Sequence, residues 1–217
     1  MPIRVFLADD HAVVRDGLRL LLETKGDITV VGEASDGRKT VKQVQKLSPD
    51  VVIMDISMPE LNGIEATQQI CKACPDTRII ILSIHATTEH TARSLKAGAK
   101  GYLLKESAGQ EVVDAVRTLH SGQQYLSRQI ADTVVEFSIF KKDGTLGINP
   151  IDSLSARERE VLQLVVEGKT SAEIAKTLHL SPKTVETYRS RLMKKLGTHE
   201  ITSLVKFAIE HGLTPLK

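Results

Sequence analysis

The sequence has few of the features that mark membrane-spanning, secreted or disulfide-bonded proteins. Its 217 residues include no tryptophan and only two cysteines, and no apolar run is longer than four residues. A helix that crosses a bilayer needs about 20 apolar residues, so no stretch qualifies as a membrane span. The apolar start is interrupted by Arg4 and leads directly into Asp9 and Asp10, unlike a secretory signal. We therefore expect a cytoplasmic protein without a membrane partner.

The two cysteines, Cys71 and Cys74, form a C-x-x-C pair just before Pro75. A redox dithiol normally lies near the start of a helix, whereas this pair falls at the end of a predicted helix. No second pair is present that could complete a zinc site. The position of the pair favours a packing role for both cysteines, and the alternatives are a redox pair and a pair of metal ligands.

Charge is distributed unevenly between the two ends of the chain. Residues 1–122 carry 15 basic and 16 acidic side chains, whereas residues 151–217 carry 11 basic and 8 acidic ones. The length is sufficient for two domains, each with its own core. A nucleic-acid surface is therefore expected in the carboxyl-terminal part.

Short apolar runs alternate with helical periodicity in the first 122 residues. The predicted strands are Ile3 to Ala8, Ile28 to Ala34, Val51 to Met54, Arg78 to Ser83 and Gly101 to Leu104. The predicted helices are His11 to Glu23, Gly37 to Leu47, Gly63 to Ala73, Thr87 to Ala97 and Ala108 to Leu119. Alternating strands and helices indicate an α/β doubly wound domain, with five parallel strands covered by helices on both faces.

Polar side chains stand at the carboxyl ends of these predicted strands. Asp9 and Asp10 end the first strand, Asp55 the third and Ser83 the fourth, and Lys105 follows the fifth. The carboxyl ends of parallel strands meet at one edge of a sheet, so these groups should converge. Three neighbouring carboxylates repel one another unless a cation such as Mg²⁺ balances them. The set is suited to transfer of a phosphoryl group to a carboxylate.

This set, together with Pro59, Gly63 and Tyr102, resembles the receiver domain of bacterial two-component response regulators, over residues 1–122. The resemblance implies a flavodoxin-like fold and makes Asp55 the phosphoacceptor. It also implies that Lys105 pairs with the phosphoryl group, and that Ser83 and Tyr102 form the switch that reports it.

The same resemblance implies a Mg²⁺ site. Asp10, Asp55 and the backbone carbonyl of Ser57 would bind the ion, and Asp9 would act through a water molecule. The plainer alternatives are a helix cap for Asp10, a surface lysine at position 105 and a core tyrosine at position 102.

Four positions bear on how far the family pattern carries over. Glu106 follows Lys105 where many receivers have proline, and bulky Ile84 follows Ser83 where a small residue is frequent. A bulky side chain there is expected to hinder an inward position of Tyr102. Ser57 and His85 occupy positions that tune the lifetime of the acyl phosphate in the family.

Residues 123–150 are predicted to be a partly helical linker. Residues 128–140 keep some helical periodicity, and 141–150 are rich in turn residues. Beyond Pro150 the pattern predicts helices alone. Capping boxes begin at Ser155 and Thr170, and Ser181-Pro182 begins a third helix a few residues after the second. That spacing is typical of a helix-turn-helix, here assigned to residues 151–217.

The third of these helices has an apolar face and an opposite polar face. Five basic residues and a single acidic one, Glu186, lie between Ser181 and Lys195. An exposed charged face is more often only a solvated surface, but a preceding short capped helix and tight turn favour a recognition helix in a DNA major groove.

The motifs from Leu154 to Gly197 resemble the LuxR-type DNA-binding domain, so that the whole chain is similar to the NarL/FixJ family of response regulators. The match suggests base contacts by Lys183, Glu186, Thr187 and Ser190. It suggests phosphate contacts by Thr184, Arg189, Arg191 and Lys194. Glu186 stands where many relatives have lysine, and would either accept a hydrogen bond from cytosine or lower non-specific affinity.

The predicted function is a phosphorylation-dependent, DNA-binding transcription regulator that catalyses only its own phosphoryl transfer and dephosphorylation. Its expected partners are promoter DNA, a sensor histidine kinase and, when phosphorylated, a second copy of the chain, with RNA polymerase a further candidate. Two alternatives remain open. One is a Mg²⁺-dependent phosphohydrolase, and the other is phosphorylation-independent DNA binding with a vestigial receiver.

Overall fold

The structure, a computed structural model, describes residues 1–84, 87–132, 150–198, 200–211 and 213. The chain divides into two compact units, residues 1–145 and 146–217. No described helix is both long enough and apolar enough to cross a membrane.

The first unit is built on a parallel sheet with the strand order β2-β1-β3-β4-β5-β6. The strands are β1 (Ile3–Ala8), β2 (Ile28–Ala34), β3 (Val51–Asp55), β4 (Arg78–Ser83), β5 (Gly101–Leu104) and β6 (Tyr125–Leu126). The connecting helices are α1 (Ala12–Glu23), α2 (Gly37–Leu47), α3 (Gly63–Ala73), α4 (Thr88–Ala97) and α5 (Ala108–His120). The predicted doubly wound architecture is confirmed.

The prediction of five strands is wrong, because the sheet has six. Strand β6 pairs in parallel with β5, with Tyr125 opposite Gly101 and Leu126 opposite Tyr102. It has only two residues, too few to show either a continuous apolar run or an alternating pattern. Its place in the sheet depends on long-range backbone hydrogen bonds, such as that from the Ser127 N–H to the Tyr102 carbonyl at 3.1 Å.

Strand β3 is buried on both faces, as its apolar run predicts. Val51 and Ile53 pack in a core with residues of α1 and α5, whereas Val52 and Met54 pack in a second core with residues of α2 and α3. Successive side chains of a strand point to opposite faces, so the two cores lie on opposite sides of the sheet. Packing on both faces therefore fixes the carboxyl end of β3 at the edge of the sheet where the polar residues were predicted to meet.

The loop after β3 folds tightly back on the strand. Gly63, the first residue of α3, donates its N–H to the Ile56 carbonyl at 2.9 Å. A Cβ atom at position 63 would lie 1.9 Å from the Asp55 carbonyl oxygen, so any side chain there would clash with the strand end. This close approach explains the glycine and fixes the backbone that carries Asp55.

The second unit consists of short helices around its own core. A 3₁₀ turn at Pro150–Ser153 precedes α6 (Ala156–Val166), α7 (Ser171–Leu178), α8 (Pro182–Leu196) and α9 (Ile201–Glu210). The capping boxes of Ser155 with Glu158 and of Thr170 with Glu173 are both present. His179, in the left-handed conformation with φ 54°, ends α7, and Ser181 caps α8. The helix-turn-helix geometry is confirmed.

The predicted linker is only partly described. Residues 128–132 are helical, and Ile130 is fully buried in the second core of the first unit. The rest of the stretch predicted to be helical, 133–140, and the turn-rich segment as far as residue 149 lie outside the described residues. The domain boundaries at 122 and 150 therefore stay predictions.

Replacing Gly63 with alanine tests the close approach to Asp55. We expect Gly63→Ala to lower the free energy of unfolding by about 2 kcal/mol or more, because the new methyl group would displace backbone rather than a mobile side chain. Gly17→Ala is the matched control. Gly17 lies on the exposed face of α1 with nothing within 4 Å of an added Cβ, so this change should stabilise by about 0.5–1 kcal/mol. Urea unfolding followed by circular dichroism measures both, and equal effects would contradict the explanation.

Candidate functional site

Three of the predicted strand-end residues converge at one edge of the sheet. Asp9, after β1, and Asp55, at the end of β3, are 2% and 3% exposed. The Nζ atom of Lys105, after β5, lies 2.7 Å from Asp9 Oδ2 and 3.1 Å from Asp55 Oδ2. The single ammonium group thus bridges two buried carboxylates from different strands.

Asp10 completes the acidic group, and a histidine that the sequence analysis did not single out lies against it. His11 Nδ1 is 2.7 Å from Asp10 Oδ1 and 3.2 Å from Asp9 Oδ1. The His11 backbone N–H also donates to Asp9 Oδ1 at 2.9 Å. Its position directly after the two aspartates was the available signal, because it shares their strand end.

Burial and repulsion raise the pKa of Asp55 to about 6. Loss of solvation is the larger cause and the Asp9 carboxylate the second, while Lys105 and the Ser57 backbone N–H act in the opposite direction. Burial alone would lower the pKa of Lys105, but the carboxylates of Asp55 and Asp9 outweigh it, so the pKa is raised and the group stays charged. The site carries more negative charge than its one lysine neutralises.

The donor set fits a hard cation. Asp9, Asp10, His11 and Asp55 each offer a ligand atom, and these atoms lie within 4.8 Å of one another. Asp9 Oδ2 and Asp55 Oδ2 are shielded from solvent and lie beside the Lys105 ammonium, while the shielded Asp10 Oδ1 lies beside His11. A divalent cation would offset the negative charge that the one lysine leaves unbalanced.

The predicted switch pair lies next to this cluster. Tyr102 is fully buried, and Ser83, at the end of β4, is 2% exposed. Burial raises the pKa of the Tyr102 phenol, while hydrogen bonding with the side chains of Ser83 and Thr91 lowers it. Ile84 is 62% exposed, so it points away and does not hinder the inward position of Tyr102. His85 lies outside the described residues.

The predicted recognition helix, α8, exposes most of the residues predicted to bind DNA. Val185 and Leu192 are buried against the other helices, and Thr184 and Arg189 are partly covered. The remaining candidates are exposed: Lys183, Glu186, Thr187, Ser190, Arg191 and Lys194. One helix face therefore presents a polar and mainly basic surface.

Two charged residues of α8 hold the helix in place. Arg189 Nη1 donates to the Ser171 hydroxyl of α7 at 2.9 Å, and the same hydroxyl donates to Glu186. Lys195 donates to Glu158 Oε2 at 2.7 Å and to the Ser153 carbonyl at 3.1 Å. Sequence periodicity did not reveal these ties, because each partner is distant in the chain.

The two cysteines are free thiols, and both are half-buried. They pack against the second core of the first unit, and burial raises the pKa of the Cys71 thiol. A raised pKa reduces the reactive thiolate, which agrees with a packing role.

Comparison with known proteins gives a match for each unit. Residues 5–117 match the family described as the response regulator receiver domain, and residues 152–208 match that of bacterial regulatory proteins, luxR family. The response regulator UvrY of Escherichia coli strain K12 is 42% identical over 97% of this chain and 95% of its own. The transcriptional regulatory protein LiaR of Bacillus subtilis is 41% identical over 97% of this chain and 99% of its own.

A solved structure is similar along almost the entire length. The two-component response regulator RcsB, in a complex with DNA, is 29% identical and has a TM-score of 0.59. The match covers 95% of this chain and 98% of RcsB.

The raised pKa of Asp55 predicts how stability depends on pH. The folded state favours the neutral carboxyl of Asp55. The stabilisation that the neutral carboxyl gives the folded state is complete below the ordinary pKa of 3.8 and is lost as pH rises through about 6. Asp55→Asn keeps the neutral shape, so in the absence of metal it should be more stable than the wild type by about 2 kcal/mol at pH 8 and equal near pH 4. Urea unfolding in a chelator at both pH values measures the difference. Asp76→Asn, at an exposed position, is the control, and a pH-independent difference for Asp55→Asn would contradict the assignment.

Proposed function

The chain belongs to the NarL/FixJ family of response regulators, which join a receiver domain to a LuxR-type DNA-binding domain, and on that premise we propose that phosphorylation of Asp55 controls its DNA binding. It is a DNA-binding transcription regulator of a two-component system. The observation that supports Asp55 as the acceptor is its burial at the strand end within 3.1 Å of Lys105.

The proposed reaction is attack by an Asp55 carboxylate oxygen on the phosphorus of a phosphohistidine in a sensor kinase. An acyl phosphate bond forms at Asp55 as the donor's N–P bond breaks, and the histidine keeps the electron pair. A small acyl phosphate could donate in the same way, with its O–P bond breaking. Asp55 must be ionised to attack, and its pKa of about 6 leaves it mainly ionised at neutral pH.

Mg²⁺, when bound by Asp10, Asp55 and the Ser57 carbonyl, would neutralise charge on the transferring phosphoryl oxygens. The other groups act directly. Lys105 lies close enough to the Asp55 oxygens to pair with a phosphoryl oxygen added there. Asp9 holds that ammonium from the opposite side at 2.7 Å and would reach the cation through water. The same groups would orient a water molecule for the receiver's own dephosphorylation.

Ser83 and Tyr102 would report the phosphoryl group. The Ser83 hydroxyl, at the end of the strand next to β3, could donate to a phosphoryl oxygen. Tyr102 already lies inward and hydrogen-bonds with Ser83, so a change at Ser83 reaches the phenol directly. We propose that phosphorylation stabilises this inward arrangement and so shifts an existing equilibrium of the receiver.

Helix α8 would carry the output by lying in the major groove of promoter DNA. Base contacts are assigned to Lys183, Glu186, Thr187 and Ser190, and phosphate contacts to Thr184, Arg189, Arg191 and Lys194. The Glu186 carboxylate already accepts a hydrogen bond from Ser171. This favours the alternative in which Glu186 lowers the non-specific affinity for DNA over the one in which it contacts cytosine. Relatives support the DNA partner, since RcsB has been solved with DNA and as two dimers on two parallel DNAs.

A phosphorylated homodimer on half-sites about one DNA turn apart follows from helix-turn-helix geometry. A cytoplasmic site of action follows from binding to bacterial promoters, where RNA polymerase is also available as a partner. The family is one of non-enzymatic regulators, which leaves the phosphohydrolase alternative without support.

Phosphorylation of Asp55 can be tested with acetyl phosphate and Mg²⁺. We expect a mass increase of one phosphoryl group, a larger oligomer in sedimentation and tighter DNA binding in gel-shift assays. Asp55→Asn should abolish all three, because it removes the attacking carboxylate. Asp76→Asn removes the same charge at an exposed position and should behave as the wild type. Normal DNA regulation by Asp55→Asn would instead favour the vestigial-receiver alternative.

The DNA surface can be tested through the salt dependence of binding. Lys194 is exposed on α8, so Lys194→Ala should lower the slope of log affinity against log salt by about one. Lys195→Ala is the matched control, because Lys195 bonds to Glu158 and Ser153 and should affect mainly folding stability. Equal slopes for both variants would contradict the assignment of Lys194 to a DNA phosphate.

A further inference from the structure

Ser171, the first residue of α7, has no part in the DNA contacts proposed above, yet its hydroxyl meets two residues that do. It accepts a hydrogen bond from Arg189 Nη1 at 2.9 Å and donates one to the Glu186 carboxylate. Arg189 Nη1 also lies 3.7 Å from Glu186 Oε1, so the three side chains form one connected group. The group joins the two helices of the helix-turn-helix, because Ser171 belongs to α7 and the other two residues belong to α8.

The directions of these hydrogen bonds follow from the chemistry of the partners. A guanidinium can only donate and a carboxylate can only accept, whereas a hydroxyl can do both. Glu186 therefore takes the one hydroxyl proton of Ser171, which leaves the oxygen lone pairs for Arg189. The distance of 3.7 Å between Arg189 and Glu186 is too long for a direct hydrogen bond, so Glu186 fixes the direction of Arg189 through Ser171.

Arg189 keeps hydrogen-bond donors for a second partner. A guanidinium has five N–H groups, and among the described residues the Arg189 side chain hydrogen-bonds to Ser171 alone, through Nη1. The side chain is 22% exposed, and it lines a groove on α8 together with Ser190 and Lys194, two residues assigned to DNA. The guanidinium that Ser171 holds can therefore present its other N–H groups to a phosphate oxygen on this face.

The direction of a guanidinium matters more for selective than for non-specific DNA binding. Non-specific affinity comes chiefly from the number of phosphates that the basic residues neutralise. Selective binding also requires phosphate contacts that fix the register of the helix, so that other side chains can reach the base edges. A side chain that is already oriented loses less conformational freedom when such a contact forms.

We propose that Ser171 is a positioning residue for DNA recognition, which holds the Arg189 guanidinium in the direction of a DNA phosphate while Glu186 holds the Ser171 proton. The proposal rests on the proposed function in one respect, since Arg189 is assigned there to a phosphate. It adds that selectivity depends on a hydroxyl of α7 that acts through Arg189. It also gives Glu186 a role in recognition besides the effect of its charge.

The test measures DNA binding by the full-length protein in gel-shift assays, with and without acetyl phosphate. The two probes are the duplex that the wild type enriches from a random-sequence pool and a random-sequence duplex of the same length. Ser171→Ala should weaken binding to the enriched duplex by about 5- to 20-fold, because Arg189 loses a charge-assisted hydrogen bond. Affinity for the random duplex should change by less than about twofold and keep its salt slope, because the charge of the protein is unchanged.

A double-mutant cycle with Arg189→Gln separates positioning from a direct contact. Arg189→Gln alone should weaken binding to both duplexes and lower the slope of log affinity against log salt by about one. In the Arg189→Gln background, Ser171→Ala should have an effect of less than about twofold, because the guanidinium that it orients is gone. Ser203→Ala, which removes an exposed hydroxyl from α9, is the matched control and should change none of these values.

The outcomes separate this proposal from the proposed function. Equal losses on both duplexes in Ser171→Ala would overturn the role of Ser171, because they indicate damage to the fold. An undiminished loss in the Arg189→Gln background would also overturn it, because Ser171 would then contact DNA directly. A loss that is confined to the enriched duplex and disappears in that background supports the proposal. The proposed function fails by different results: an unchanged salt slope in Arg189→Gln removes the phosphate contact, and binding that acetyl phosphate leaves unchanged removes control by phosphorylation.

Discussion

The arrangement of the receiver depends on an imbalance of charge at the carboxyl edge of its sheet. Asp9 and Asp55 are buried within reach of one ammonium group, that of Lys105, which lies 2.7 and 3.1 Å from them. Removal from water and mutual repulsion raise the pKa of Asp55 towards neutrality, which costs folding stability at physiological pH. The two cores that enclose β3 supply the stability that keeps this edge in place. The same imbalance leaves an excess of negative charge that a cation can offset.

Sequence patterns were sufficient to predict the features that repeat or that occupy strand ends. The apolar run before Asp55 predicted β3, and the rule that parallel strands end together predicted that Asp9, Asp55 and Lys105 meet at one edge of the sheet. The capping boxes and Ser181-Pro182 predicted the first three helices of the second unit equally well. In each case a pattern of neighbouring residues is enough to predict a strand or the start of a helix.

Features that depend on distant contacts were missed. A two-residue strand such as β6 has no periodicity and exists because its backbone bonds to β5. The tie from Arg189 through Ser171 to Glu186 joins residues of two helices, so it could not be read along one of them. Ile84 was expected to hinder Tyr102, but a residue's bulk does not reveal its direction, and this side chain points to solvent. His11 was overlooked because two aspartates already explained the strand end.

The pairing of β6 with β5 also has a mechanical consequence. The carbonyl of Tyr102 accepts from the N–H of Ser127, only a few residues before the described part of the first unit ends at residue 132. Tyr102 and the segment that begins at Ser127 are therefore joined by a backbone hydrogen bond at the edge of the sheet. Any shift in the Tyr102 backbone must either move Ser127 with it or break that hydrogen bond, so the backbone of Tyr102 and the start of the segment after β6 form a single structural part.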